Sequence, residues 1–459
     1  MRPAIDVERA RPIVEGVFAE QAALGRVPSL AWGLVDRGAL LLARDEHTVY
    51  RIASMTKSFT CAAILLLRDA GRLALDDPIA RHAPELAHLA GPTGDAPPLT
   101  IRHLMTMSGG LATDDPWADR HLDAADADLD RWLAPGAAFA EGPGTAFEYS
   151  NLGFGLLGRV VRHITGAPVQ HLVTEGLLRP LGMARTTWTA PPGAIAGYRR
   201  RGDELVVEPF LGDGAIAPMG GLFTTVADLA RWIAFLADAF PPRDGPDPGA
   251  LSRASRREMQ QAHRAFPPRT HTARDGRVRP VAGGYGYGLN VTWVESLGWV
   301  TDHSGGLPGF GSNMRWTRAG LGLVALANLT YARMADATAA VLNALLAGDA
   351  LLPAPPPLAP ALQRAGEQLV ALHNRWDDRA AGALFADNVD LDDERERRAA
   401  AAARLAAEHG PFTMARVEAQ SGASAVAVAH GPRGELRIEF QLHPLLPPRV
   451  QFYRAQMAP

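Results

Sequence analysis

The sequence predicts an α+β protein of two unequal domains. The larger is one antiparallel sheet built from both ends of its segment, with a helical lobe inserted between them. Three observations carry this. Strand-like apolar runs open and close the first three quarters of the chain, and helical periodicity fills the stretch between them. A proline-rich run, Pro-Ala-Pro-Pro-Pro-Leu-Ala-Pro at 353–360, then precedes a second, smaller pattern of helices and strands. The expected organisation is a main domain over 1–350, a stiff linker over 351–360 and a small α+β domain over 361–459.

The elements follow in order. Apolar runs at 29–36 and 39–44 flank Arg37-Gly38 and read as a hairpin. A strongly apolar helix is expected from Ser54 to about Ala70, stopped by Gly71. From 77 to 240 the pattern is mainly helical, with loops rich in Pro, Gly and Asp. The stretch 241–280, loaded with Pro, Arg and Asp and without periodicity, is expected to be an exposed insertion. Strand patterns at 287–294, 299–303, 312–316 and 322–328 follow, and an alanine-rich helix over 332–346 closes the unit. Beyond the linker, helical patterns at 361–385 and 394–409 precede four alternating strand patterns ending near Arg454. A turn at Gly431-Pro432-Arg433-Gly434 lies between two of them.

Composition narrows the function. The chain has 459 residues, 47% hydrophobic and 21% charged, as in an ordinary globular protein of two domains. A net charge of -3 offers no footprint for nucleic acid or an acidic membrane. No apolar stretch reaches the ~18 residues needed to cross a bilayer. Residues 1–30 lack the basic, apolar and small-residue segments of an export signal, so a cytoplasmic location is expected. The one cysteine, Cys61, lies in an apolar run and reads as a buried hydrophobe. The fourteen histidines show no paired ligand spacing, and neither a metal nor a cofactor is expected. No G-x-S-x-G elbow is present, which disfavours a hydrolase of that type.

Lys57 is the residue that points to chemistry. Of forty-six basic residues it alone is lysine, and the rest are arginine. A lysine amine can lose its proton, which a guanidinium cannot. Ser54 stands three residues before it, within reach on one helical face. A serine hydroxyl needs a base, and Lys57 qualifies if burial lowers its pKa; alternatively a charged Lys57 tunes a second group. Tyr149, in Tyr149-Ser150-Asn151 at a loop-to-helix junction, is such a group. Asp302-His303-Ser304-Gly305-Gly306 ends a strand with residues that permit close backbone approach. Its histidine could contact a substrate carboxylate, and its glycine N–H groups could serve an oxyanion hole.

In this order and spacing, the three segments resemble the serine β-lactamase and penicillin-binding-protein family. The likeness is to its branch of class C β-lactamases, D-alanyl-D-alanine carboxypeptidases, D-aminopeptidases and esterases. The stretches 100–110 (TIRHLMTMSGG), 150–183 and 220–232 (GGLFTTVADLARW) share it, so the resemblance spans about 25–345. It implies that Ser54 is the acylated nucleophile and that Lys57 and Tyr149 form the proton-transfer pair. It further implies that Asn151 orients Lys57 and substrate, and that His303, Ser304 and Gly305 flank the substrate. The oxyanion hole would be the N–H groups of Ser54 and Gly306.

Two departures from the family pattern are visible. Only residues 45–50 separate the first hairpin from the serine segment, and His303 replaces a lysine common in β-lactamases and transpeptidases. A histidine is mostly neutral and a poorer carboxylate anchor. The expected function is therefore hydrolysis of small esters or amides, D-amino-acid peptides included. A true β-lactamase or D,D-carboxypeptidase is the alternative, and a non-catalytic binding protein is a weaker one. The C-terminal segment resembles cone-shaped folds of the nuclear-transport-factor-2 type and could cover the active site, mediate homodimerisation or bind a ligand.

Overall fold

The protein is described by a computed structural model over residues 5–268, 270–272, 278–295, 297–348, 350 and 358–458. It separates into two compact units, one ending at Leu352 and the other beginning at Pro353. Most of the expected linker, 351–357, lies outside the described residues.

The first unit is built on an eight-stranded sheet. Its spatial order is Ala39–Arg44, Leu30–Asp36, Leu321–Ala327, Phe310–Thr317, Gly298–Leu307, Asn290–Val294, Gly283–Tyr285 and Arg264–Ala265. Every neighbouring pair is antiparallel. The N-terminal hairpin joins the last strand directly, with Leu30 opposite Ala327 and Asp36 opposite Leu321, so both ends of the segment supply one sheet.

The adjacent strands Leu30–Asp36 and Leu321–Ala327 read as continuous apolar runs because both of their faces are covered. Leu30, Trp32, Leu34, Leu323 and Ala325 pack with Ala10, Val14, Phe18, Val341 and Leu345 of the helices Val7–Leu24 and Met334–Ala347. Ala31, Val324 and Leu326, one residue out of phase, belong to a core shared with Trp232 and Ile233 of the helix Val226–Ala237. The helix Val7–Leu24 has no counterpart in the sequence expectations. Its signal is the four-residue spacing of Ala10, Val14 and Phe18, and Phe18 stacks on Trp32 at 5.2 Å.

Other expectations need correction. The lobe between 77 and 240 also carries a hairpin, Gly197–Arg201 with Glu204–Glu208. The stretch 241–280 is not simply an exposed insertion. It contains the helix Arg253–Met259, in which Arg253, Ser255, Arg256 and Met259 are buried. The Arg256 guanidinium bonds Asp247 at 2.9 Å while its stem lies inside, so a polar composition conceals a packed element. Residues 269 and 273–277 of this stretch lie outside the described ones.

The second unit has the helices Pro360–Asn374, Asp378–Leu384, Val389–Asp392 and Arg395–His409. The first expected helical pattern is thus two helices, divided where Asp377 accepts from the Ala380 N–H at 2.7 Å and caps the second. Its sheet runs Thr413–Ala419, Ser424–Gly431, Gly434–Leu442 and Val450–Met457 in chain order. Alternate residues Ala425, Ala427, Ile438 and Phe440 face the helices. Among the described residues no helix is long and apolar enough to cross a membrane.

The helix Thr56–Asp69 is fixed in the larger core by its own side chains. Phe59 stacks on Trp232 with ring centroids 4.1 Å apart, Trp232 Nε1–H donates to Ser58 Oγ at 3.1 Å, and Thr60 Oγ1 donates to Pro218 O at 2.7 Å. Trp232→Ala is expected to cost about 3–5 kcal/mol, measured by urea denaturation.

Candidate active site

The strand Gly298–Leu307 loses one neighbour part-way. It pairs with Asn290–Val294 only as far as Asp302, but with Phe310–Thr317 as far as Leu307. Residues 303–307 therefore have an edge without a strand partner, and the turn carrying Ser54 packs against it. A Cβ on Gly305 would lie 2.1 Å from Ile52 O and 3.0 Å from the Ala53 methyl, so only glycine permits this approach. Ser312 Oγ donates to Ile52 O at 2.8 Å and clamps the same contact.

Ser54 is not the first residue of the α-helix, as the sequence suggests. It sits in a 3-10 turn, Ala53–Met55, that runs directly into Thr56–Asp69. Ala53 before it holds φ +50, a conformation that a residue with a side chain rarely adopts. The Ile52 N–H to Leu222 O bond at 3.0 Å and the Ser312 clamp keep it there.

Lys57 is fully buried. Its Nζ donates to Asn151 Oδ1 at 2.7 Å, Ser54 Oγ at 2.9 Å and Met219 O at 3.0 Å. Burial lowers the amine to about 8, against the upward pull of Asp115, Asp119 and Asp114. Its Nζ also lies 4.9 Å from the centre of the Tyr149 ring. Burial, and then Asp115, push the Tyr149 phenol well above its ordinary value, while a hydrogen bond with Ser54 works the other way. Of the two candidate bases, the amine is the one that loses its proton more readily.

Asn151 is held from the far side. Its Nδ2 donates to Asp115 Oδ1 at 2.7 Å, and Asp114 accepts the N–H groups of Asn151 and Leu152, both at 2.7 Å, at the start of the helix Asn151–Thr165. A side chain whose amide is fixed by Asp115 presents its carbonyl oxygen to Lys57, which explains the residue type at 151.

Ser54, Tyr149, His303, Ser304, Gly305 and Gly306 line one cleft of about 510 Å³. Ser304 Oγ accepts from Asn313 Nδ2 at 3.1 Å. A Cβ on Gly306 would come within 2.8 Å of the Tyr331 ring. His303 lies in the wall of this cleft, where the sequence reading expects a substrate contact. It is buried, and its Nδ1 lies 2.6 Å from Ser304 O, where only an N–H fits. Its Nε2, 2.8 Å from the Tyr285 hydroxyl, is then the acceptor. Burial, and secondarily Lys57, bring His303 down to about 3, so it is neutral and both ring nitrogens are occupied.

The sequence reading missed Asp114, Asp115, Asp119, Tyr285 and Tyr331. Asp115, Asp119 and Tyr331 also line the cleft, and the Tyr331 hydroxyl donates to Asp119 Oδ2 at 2.8 Å. The available signal was the acidic spacing in Asp114-Asp115-Pro116-Trp117-Ala118-Asp119, which resembles an ordinary turn. Cys61 is buried with its thiol pushed well up. Among the described residues, no group of His, Cys, Asp or Glu could hold a metal ion.

A family model described as Beta-lactamase matches residues 14–347. The chain belongs to the beta-lactamase family. Among relatives of this beta-lactamase-family chain, the D-alanyl-D-alanine-carboxypeptidase/endopeptidase AmpH of Escherichia coli (strain K12) is 33% identical over 251 residues. That match covers 50% of this chain and 64% of AmpH, less than two thirds of the relative's length. Among solved structures, the octameric penicillin-binding protein homologue from Pyrococcus abyssi gives a TM-score of 0.61 at 20% identity, over 97% of this chain and 96% of that one. A D-stereospecific amidohydrolase from Streptomyces sp. gives 0.55 at 22% identity, over 74% and 98%. At these identities the two structures establish the mixed antiparallel-sheet fold of this family member.

Gly305→Ala is expected to force the strand and the Ser54 turn apart. The expected outcome is a loss of about 1–3 kcal/mol by denaturant titration and a large fall in labelling of Ser54 by a fluorophosphonate.

Proposed function

We propose that this chain is a serine hydrolase that works through an acyl-enzyme at Ser54 on small esters or amides, D-amino-acid peptides included. The observation that carries this is the 2.9 Å contact between Ser54 Oγ and a buried Lys57 amine lowered to about 8. A neutral amine has two N–H bonds and one lone pair. Asn151 Oδ1 and Met219 O take the two N–H bonds, which leaves the lone pair facing the Ser54 hydroxyl.

On this reading, Ser54 Oγ attacks the substrate carbonyl as its proton passes to Lys57 Nζ. The backbone N–H groups of Ser54 and Gly306 face the oxygen that becomes negative. The Tyr149 phenol, held protonated, relays a proton to the leaving group. Water then hydrolyses the ester on Ser54 and releases the acid. Asn151 keeps Lys57 aimed, and Asp115 keeps Asn151 aimed. A neutral His303 supplies no charge for a substrate carboxylate, which places esters and amides ahead of β-lactams and D,D-peptides. The carboxypeptidase and amidohydrolase among the related proteins support hydrolysis of an acyl bond.

Three results test the proposal. Ser54→Ala should abolish turnover of 4-nitrophenyl acetate and the mass gain of an acyl-enzyme; retained turnover refutes the assignment. Lys57→Arg, which keeps the charge but cannot give up the proton, should reduce kcat/KM by at least ~10²-fold. In the wild-type protein kcat/KM should rise with pH through about 8, because the protonated amine cannot accept the Ser54 proton. A flat profile from pH 6 to 9 would remove Lys57 as the base.

A further inference from the structure

We propose that Tyr331 sets the size of the acyl group: its ring closes the cleft beyond Gly306, so acids with short chains fit there and those with long chains do not. This rests on the serine-hydrolase reading and adds to it a size limit held by one residue.

Tyr331 has φ +53, in the left-handed region that a bulky side chain rarely enters. Glycine would sit there without strain, yet the chain carries a tyrosine that is 48% exposed. Core packing does not account for an aromatic residue in that position, whereas a strained residue in a cleft points to a role in the cleft. The backbone is pinned on both sides. Tyr331 N–H donates to Phe310 O at 3.1 Å, and Thr330 N–H donates to Tyr198 O at 2.8 Å. Thr330 Oγ1 donates to Tyr198 O at 3.0 Å and accepts from Gly309 N–H at 2.8 Å. A Cβ on Gly311 would lie 2.2 Å from Ala332 O, so this segment packs directly on the strand Phe310–Thr317.

Held in this way, the ring covers Gly306, and its hydroxyl donates to Asp119 Oδ2 at 2.8 Å on the helical lobe. Ring and hydrogen bond together cross the cleft from the sheet to the lobe. Nothing else in this part of the wall has comparable bulk facing inward. Ala332 and Ala335 are short, Met334 is buried, and Arg333 is 84% exposed and bonds Asp336 at 2.8 Å.

The strand Gly298–Leu307 tells the two ends of the cleft apart. Tyr149 lies at its His303 end, with ring centres 6.5 Å apart. Gly306 is three residues further along, ~10 Å away. A leaving group that takes its proton from Tyr149 lies at the His303 end, and the carbonyl oxygen faces the Gly306 N–H. The acyl chain then runs toward Tyr331. An acetyl methyl stops short of the ring, while a longer chain must displace the ring and break its bond to Asp119.

The test compares 4-nitrophenyl acetate with 4-nitrophenyl hexanoate, which share a leaving group, on the full chain. Wild-type kcat/KM for the hexanoate should be lower by at least ~10-fold. Tyr331→Gly, which suits the left-handed backbone, should raise the hexanoate/acetate ratio by ~10-fold or more. Tyr331→Phe keeps the ring and should hold that ratio within ~3-fold of wild type. A purely structural role would move both esters together and leave the ratio intact. A second series keeps the acetyl group and varies the alcohol: the ratio of 1-naphthyl acetate to phenyl acetate should be the same in wild type and Tyr331→Gly. The inference is overturned by a wild type that does not discriminate against the hexanoate, by a hexanoate/acetate ratio unmoved by Tyr331→Gly, or by Tyr331→Phe shifting it as far as glycine does. A shift in the alcohol series in place of the acyl series overturns it as well. If wild type turns over none of these esters and Ser54 gains no acyl mass, the serine-hydrolase reading itself falls.

Discussion

The structure depends on one constraint: a lysine amine must sit in the core, beside a serine hydroxyl, in a state where it can lose a proton. Burial alone would drive the amine neutral at a large cost. Here three acceptors, Asn151 Oδ1, Ser54 Oγ and Met219 O, surround it, and three aspartates behind them partly compensate the charge. The result is an amine poised near the pH of ordinary solutions. The same need accounts for the neighbouring residue types: a carboxamide at 151, carboxylates at 114 and 115 to hold it, and an apolar helix below to exclude water.

Strain at the nucleophile and crowding on the strand are two sides of one contact. The positive φ of Ala53 swings Ser54 outward, and the bare backbone of Gly305 leaves room for that turn. Neither works alone. With a side chain at 305 the turn would be displaced, and with a relaxed residue at 53 the hydroxyl would point elsewhere. The Ser312 hydroxyl and the Leu222 carbonyl hold the arrangement by bonding the backbone of Ile52, independent of any ligand.

Much of this was legible in the sequence, for physical reasons that differ by residue. Lys57 stood out because the chain uses arginine for every other cation, so its chemistry had to be something arginine lacks. Ser54, Tyr149 and Asn151 were visible through spacing and junctions, and the strands at 30–44 and 298–327 through apolar runs bounded by turns. Asp115 and Asp119 were hidden because aspartates beside a proline are also what a turn requires. The partners of His303 were not legible, since its type says nothing of whether both nitrogens are already bonded; only the Tyr285 hydroxyl and the Ser304 carbonyl decide that. The helix Arg253–Met259 was hidden because long arginine stems bury while their formal charge reads as surface.

Bonds across the whole first unit join its two ends: Ser29 bonds Asn328, 299 residues away, and Ile52 bonds Ser312, 260 residues away. During synthesis the first hairpin and the serine turn leave the ribosome long before their partners exist. The strand Leu30–Asp36 can pair locally with Ala39–Arg44 but must wait for Leu321–Ala327, and the cleft cannot form until residues beyond 303 have been made. A chain cut short anywhere in the lobe therefore carries a serine and a lysine without an active site. The reactive pair comes into being only as the last strands arrive, which ties the onset of chemistry to completion of the fold.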